Sequence, residues 1–381
     1  MYKRQSRNEA ARTIAAAKKS GDSDAVNKIM SEVSSIGNKI EELSKMADDL
    51  LQNRDSIRMR IPNILHESVP EGEDDQKNTL HSLHGKKISL GFDAKNHNEI
   101  IENNGWVDLA RAAKITGSRF FFMQGDLARL DMALQSYTSN FLINKNYTLV
   151  QPPLMMNKEA YEGVTDLGDF ETVMYGIEPD KFYLIATSEH PLTAMRMDEI
   201  IEPSELPIKL VGVSQCFRRE VGAHGLSDRG IWRVHQFTKI EQIIICKPED
   251  SWSHHEDLLN NATELWDSLG LHYRVVNICT GDMGTVASKK YDLEAWLPGV
   301  GEYKEVVSCS NCTDYQANRL RMRYRTSEGN SAVHTLNSTA VATTRALVAI
   351  LEQYQTEDGK IMIPEVLRPY MNNQEFLTPL S

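Results

Sequence analysis

The sequence predicts an α+β body built around an antiparallel β-sheet, with an antiparallel helical hairpin ahead of it. Three patterns carry that expectation. Val26, Ile29, Val33, Ile36, Ile40, Leu43, Ala47 and Leu50 recur in alternating steps of three and four, the seam of a long coiled-coil helix. Strand-like runs bunch mid-chain, at 182–186, 210–220, 231–246, 272–278 and 305–309. Helical stripes stand before and after those runs.

In chain order, the stretch 7–19 is Ala-rich and helix-prone, and Ser20-Gly21-Asp22-Ser23 reads as a turn into the seam-bearing return helix. Arg54 interrupts the seam and Ile57 resumes it. The return helix spans roughly 50 Å at about 1.5 Å per residue, about twice its partner's length. The stretch 43–57 is therefore left without a partner inside the hairpin, so either the body covers it or the chain lacks part of its original first helix. Residues 67–77 are dense in acids and carry Pro70 and Gly72, which reads as a linker. The expected division is a hairpin over 1–66, a linker over 67–79 and the body over 80–381.

Within the body, Leu127, Leu130, Leu134, Tyr137 and Phe141 form one helical stripe, followed by a short strand over 147–150 that runs into Pro152-Pro153. Late in the chain, Val341, Val348 and Leu351 share a face of a helix expected to start near Thr339. There is no internal repeat and no glycine-rich phosphate loop, which leaves a P-loop or Rossmann site unsupported.

Bulk properties narrow the class. At 381 residues, 41% hydrophobic and 25% charged, the composition is that of a soluble globular protein. No run of 18 apolar residues and no apolar leader segment occurs, so a cytoplasmic protein with no membrane attachment is expected. The five cysteines are odd in number and mostly scattered, which argues against a disulfide framework. Cys309-Ser310-Asn311-Cys312 is a single C-x-x-C without a second pair, which argues against structural zinc. His254-His255 sit in a polar, helical stretch and read as surface. The net charge of −11 speaks against nucleic-acid binding by the surface at large. Residues 1–20 nevertheless hold Lys3, Arg4, Arg7, Arg12, Lys18 and Lys19 against Glu9, either a contact for phosphates or a solvated helix end.

The stretch 216–242, CFRREVGAHGLSDRGIWRVHQFTKIEQ, is the richest in chemistry. If 210–220 and 231–246 pair as strands, Arg218 and Glu220 share one parity, and Arg233, His235, Phe237 and Glu241 share another. That would put guanidiniums, carboxylates and a ring on one face, with Val234 and Ile240 directed into the core. Such a face suits an anionic, aromatic ligand such as a nucleotide, because a guanidinium fork grips two phosphate oxygens and a ring stacks on a base. A surface hairpin laced with ion pairs, each worth about 0.2–1 kcal/mol, fits the pattern as well.

Four blocks resemble the seryl-tRNA synthetase family of class II aminoacyl-tRNA synthetases: LVQPP at 149–153, TSEHPL at 187–192, CFRRE with RVHQFTKIE at 216–241, and LNSTAVATTRALVAILEQYQ at 336–355. EVVSCSNCTDYQ at 305–316 and the helical hairpin add to the likeness, which covers nearly the whole chain. The resemblance implies a class II catalytic domain that activates L-serine with ATP and Mg²⁺ and transfers it to tRNA(Ser). Residue by residue, it implies that Arg218 grips the α-phosphate, Phe237 stacks on adenine, Glu220 and Arg233 complete the ATP pocket, and Arg345 meets the γ-phosphate. Glu305 and Ser308 would serve the metal and the phosphates, although strand parity does not unite that pair. Thr187, Glu189, Glu241, Asn337 and Thr339, together with Arg218, would surround serine, Thr187 and Glu189 sharing a face if that segment is extended. Arg218, Glu220 and Arg345 are the residues expected to carry catalysis. The family likeness also implies a homodimer through the Pro152-Pro153 block, a tRNA-binding arm in the hairpin, and a longer N-terminal part than this sequence carries.

Two rivals are weaker. An amino acid:carrier-protein ligase would keep adenylation but lack the heptad-bearing arm. A non-catalytic paralogue would have no physical need for Arg218, Glu220, Phe237, Glu305 and Arg345 together.

Overall fold

The computed structural model describes residues 23–87, 89–165, 173–220 and 230–380. The chain divides into two compact units, Met1–Ile61 and Pro62–Ser381. In the first unit, helix α1 runs over Ser23–Arg58, 36 residues, in agreement with the heptad seam. Ile36 and Ile40 are half-buried, whereas Leu43, Leu50 and Ile57 are exposed. The expected first arm, the start of its turn and the basic cluster over 1–20 lie outside the described residues.

The second unit is organised by an eight-stranded sheet. Its strands are β1 (Thr79–His84), β2 (Thr148–Val150), β3 (Ile208–Phe217), β4 (Gln236–Cys246), β5 (Tyr273–Asn277), β6 (Lys289–Leu297), β7 (Glu302–Asn311) and β8 (His334–Ala342). They lie in the order β1-β5-β6-β7-β8-β4-β3-β2. Every neighbouring pair is antiparallel except β2 with β3.

The main helices are α2 (Gly125–Ile143), α3 (Glu189–Ala194), α4 (Ser251–Ser268) and α5 (Thr343–Gln353). Alternation along β4 separates two apolar clusters. Ile240, Ile244 and Cys246 join the core that holds α2, α4 and α5, while Ile243 and Ile245 join a smaller core with Leu192 of α3. The α2 stripe packs as its spacing predicts, with Leu127, Leu130 and Leu134 fully buried and Tyr137 and Phe141 against them. Each such leucine contributes about 1.5–3 kcal/mol relative to exposure.

Several expectations are corrected. The run 231–246 is a strand only from Gln236; Ile231–Trp232 is turn, so parity cannot orient Arg233. Thr339 lies inside β8, and the last helix starts at Thr343. Within the second unit, residues 67–79 hydrogen-bond to the sheet region: Gly72 N donates to Thr280 Oγ1 at 3.1 Å and Cys279 N to Asn78 Oδ1 at 2.9 Å. His255 is buried on the inner face of α4, its Nε2 3.1 Å from Cys309 O. Cys309 belongs to the large core and Cys312 faces a cavity across the sheet.

Candidate active site

A cavity of about 430 Å³ opens on the face of the sheet opposite α2, α4 and α5, and Thr187, Glu189, Arg218, Glu241, Glu305, Ser308, Asn337 and Thr339 all line it. Strand alternation explains much of this convergence. In β3 the even residues and in β4 the odd ones share the cavity face, and β3–β4 pairing sets Cys216 opposite Phe237, Ser214 opposite Lys239 and Gly212 opposite Glu241. Arg218 continues the even series beyond the strand end. Its guanidinium lies 5.4 Å from the Phe237 ring centroid, and its Nε donates to Ala186 O at 3.2 Å. Across β8, Glu241 faces Thr339 and Ile243 faces Asn337.

Glu305 and Ser308, which parity could not unite, share a face because β7 carries a bulge. Leu293 pairs with Val307 and Glu294 with Glu305, which leaves Val306 as an extra residue. The inserted residue shifts the alternation by one, so a spacing of three behaves as a spacing of two.

Thr187 and Glu189 meet for a reason other than the one expected. The segment is not extended, since Glu189 opens α3. Instead Glu189 N donates to Thr187 Oγ1 at 3.2 Å, a local turn that holds the two together. Gly212 permits the close approach, because a Cβ there would lie 2.5 Å from Leu192 Cδ1 and 2.8 Å from Ser188 Cβ.

Arg345, Glu220, Arg233 and Phe237 do not line this cavity, and Phe237 lines a second one with Gln215, Asp131 and Thr343. Arg345 Nη1 donates to Glu305 O at 2.9 Å and lies 3.3 Å from Glu305 Oε1, with its guanidinium 5.5 Å from the Trp232 ring centroid. The expected strand over 210–220 stops at Phe217, so parity does not orient Glu220, which has a left-handed backbone (φ 46°) and an Oε2 3.5 Å from Arg233 Nη1.

Residues 173–354 match the family model for the tRNA synthetase class II core domain (G, H, P, S and T). A serine–tRNA ligase of Methanocorpusculum labreanum is 56% identical over 374 residues, which cover 97% of this chain and 88% of that protein. The chain belongs to the seryl-tRNA synthetase family. The solved seryl-tRNA synthetase of Pyrococcus horikoshii, complexed with ATP, superposes with a TM-score of 0.87 at 42% identity, covering 100% of this chain and 89% of that one. The cytoplasmic serine–tRNA ligase of Naegleria fowleri, in complex with AMP, gives 0.82 at 37% identity with the same coverage. The α+β fold with a mixed, mainly antiparallel sheet is thus the class II synthetase fold.

In this seryl-tRNA synthetase family member the cavity is electrostatically divided. Burial and the neighbouring Glu241 push the Glu189 carboxyl up to about 7, against Lys239, a hydrogen bond from Gln316 and Arg218. Burial also raises the Glu241 carboxyl, opposed chiefly by Lys239. Burial pushes His190 down to about 3, helped by Lys239 and Arg218, so its ring is neutral at physiological pH. Burial works to raise the Glu305 carboxyl too, but Arg345, Lys290 and Arg218 together overcome it and hold it below its ordinary value.

Lys239 and Gln316 are site residues that the sequence reading missed. Lys239 could have been found, since it is odd-numbered between Phe237 and Glu241 on β4. Gln316 had no local signal: it stands on the short helix Tyr315–Arg319 and reaches Glu189 Oε1 at 2.9 Å and Val164 O at 2.9 Å.

The Glu189 shift has a consequence for stability. Between its ordinary value of 4.5 and about 7, the folded protein holds this proton more tightly than the unfolded chain. Stability therefore falls as pH rises through that window and levels off above it. The wild-type melting temperature should decline across the window more steeply than that of Glu189→Gln; identical slopes would refute the assignment.

Proposed function

We propose that this chain activates L-serine with ATP to seryl-adenylate and pyrophosphate, then transfers the seryl group to tRNA(Ser). The observation that supports this best is the single cavity in which Thr187, Glu189, Glu241, Asn337 and Thr339 stand beside Arg218. A serine carboxylate oxygen attacks the α-phosphorus, and the bond from that phosphorus to the bridging oxygen breaks, releasing pyrophosphate. A terminal ribose hydroxyl of the tRNA then attacks the acyl carbon, and AMP leaves. Neither step needs a protein nucleophile, so the chain's task is positioning and charge compensation.

Arg218 holds the α-phosphate and the serine carboxylate, Phe237 stacks on adenine, and Arg345 meets the γ-phosphate. Glu220 and Arg233, paired with each other, close the adenine side. Thr187, Glu189, Glu241, Asn337 and Thr339 recognise the ammonium and hydroxyl of serine. A pocket lined by such groups rejects alanine and glycine, because buried polar groups would be left unsatisfied at about 1–3 kcal/mol each.

Glu305 and Ser308 fit a Mg²⁺ site: one ionised carboxylate and one hydroxyl on the same sheet face are hard oxygen donors of the kind Mg²⁺ uses alongside substrate phosphates. When bound, the ion would offset phosphate charge.

The division into an arm over 1–66, a connecting segment over 67–79 and a catalytic domain over 80–381 belongs to the same proposal. The arm would contact tRNA, and its long helix α1 offers the reach. The body would form a homodimer around the Pro152-Pro153 block, which follows the edge strand β2 with its exposed Leu149. A cytoplasmic location accords with the function, and among the described residues no helix is long and apolar enough to cross a membrane.

Amino-acid-dependent ATP–pyrophosphate exchange across all twenty amino acids tests the first half-reaction without tRNA. Exchange with serine alone is expected, followed by charging of tRNA(Ser). Exchange with glycine or alanine would favour a carrier-protein ligase instead.

A further inference from the structure

Lys239 is 8% exposed and stands between two polar groups of the amino-acid pocket. Its Nζ lies 2.5 Å from Glu241 Oε2 and 3.2 Å from Thr187 Oγ1. Burying a lysine costs free energy that an apolar residue at this strand position would not. Its alternation with Phe237 and Glu241 turns it toward the cavity, which it lines.

The two carboxylates there are treated differently. Glu241 has the Lys239 ammonium against its Oε2, and a hydrogen bond from the Thr339 side chain also favours its ionised form. Among the described residues no cation lies within ion-pair distance of Glu189; its Oε1 accepts from the neutral amide of Gln316, and Lys239 and Arg218 act on it only at longer range. Among the described residues one carboxylate is therefore paired directly and the other is not. A hydroxylated amino acid offers two unlike donors, one neutral and one charged.

We infer that Lys239 is the positioning and specificity-determining residue of the amino-acid pocket: it compensates Glu241 so that this carboxylate meets the neutral hydroxyl of serine, and it leaves Glu189 as the counter-ion of the ammonium. This assignment rests on the serine-activating reading above. The elevated Glu189 carboxyl accords with it, for a carboxylate without a contacting cation gains most when a substrate ammonium arrives. The charged and titratable groups around Glu189 are Glu241, Lys239, Arg218, His190 and Cys312. Without Lys239, both carboxylates would compete for the single ammonium. Alanine, which has that ammonium but no hydroxyl, would lose less than serine.

The experiment compares wild type with Lys239→Met in ATP–pyrophosphate exchange, with serine and alanine as substrates and across pH. The expected result is a serine KM raised about tenfold or more, with the KM for ATP changed less than about twofold. The serine-over-alanine ratio of kcat/KM should fall. The acidic limb of kcat/KM for serine should move to higher pH, because Glu189, whose ionised form the nearby Lys239 charge favours, then holds its proton more firmly. A merely structural lysine would move neither the ratio nor the limb. A folded variant with serine KM, ratio and limb all like wild type overturns the inference alone. Wild type without serine-dependent exchange overturns the serine reading and the inference with it. Should Lys239→Met fail to fold, Lys239→Gln decides on the same readouts, since it keeps a hydrogen-bond donor but loses the charge; an unchanged serine KM, ratio and limb there count against the inference equally.

Discussion

Arg218→Ala should abolish seryl-adenylate formation while leaving the protein folded. Among the described residues no carboxylate lies within ion-pair distance of this guanidinium, although it stands in a cavity with several acids. Its Nε is tied to Ala186 O and its plane lies near Phe237, so the side chain is held without being neutralised. A cation held that way is prepared for an anion that the described residues do not supply. Removing a preorganised donor to a shifting phosphate charge costs about 10²–10³ in rate, and more when the group is charged. The loss of one hydrogen bond to a backbone carbonyl costs only about 1 kcal/mol of stability. Exchange should thus drop at least about a thousandfold while the melting temperature moves by a few degrees. Near-normal exchange in the variant would sink the assignment of the hairpin as the ATP floor.

Glu189→Gln should act on serine and spare ATP. The substitution keeps the shape and a donor–acceptor pair but removes the charge that answers the ammonium. Deleting one partner of a buried charge pair costs about 2–5 kcal/mol, or about thirtyfold or more in the KM for serine. The pH profile carries the sharper signature. With the Glu189 carboxyl raised to about 7, wild-type kcat/KM for serine should climb with pH through neutrality as the group ionises. The variant should lack that climb. Steady-state kinetics between about pH 6 and 8.5 measure both, and a retained climb in the variant would assign the titration to another group.

What was legible in the sequence was whatever depends on local alternation. Phe237 and Glu241 share a face because β4 is regular where they sit, Arg218 continues the alternation one residue past the end of β3, and the heptad seam of α1 needs nothing beyond its own spacing. What was not legible depends on a partner. The run 231–235 is hydrophobic enough to pass for a strand, yet His235 N donates to Arg119 O and the ladder starts only at Gln236. Thr187 and Glu189 converge through a turn hydrogen bond, not through a strand. Gln316 arrives from a helix 127 residues away in sequence, and no periodicity can announce it.

The bulge at Val306 recasts what a sequence motif is. Its effect is that Glu305 and Ser308 are defined by the residues they face, Glu294 and Asp292, and not by the count between them. A chain one residue shorter at this point, with a regular ladder, would set the same acid and hydroxyl on the same face. E-x-x-S and E-x-S are therefore two spellings of one site. The surplus residue is bound to the fold by its own packing, for Val306 is 1% exposed in the large core. Insertions and deletions in this strand are consequently read by the protein as changes of phase, and only the pairing partner keeps the reading frame.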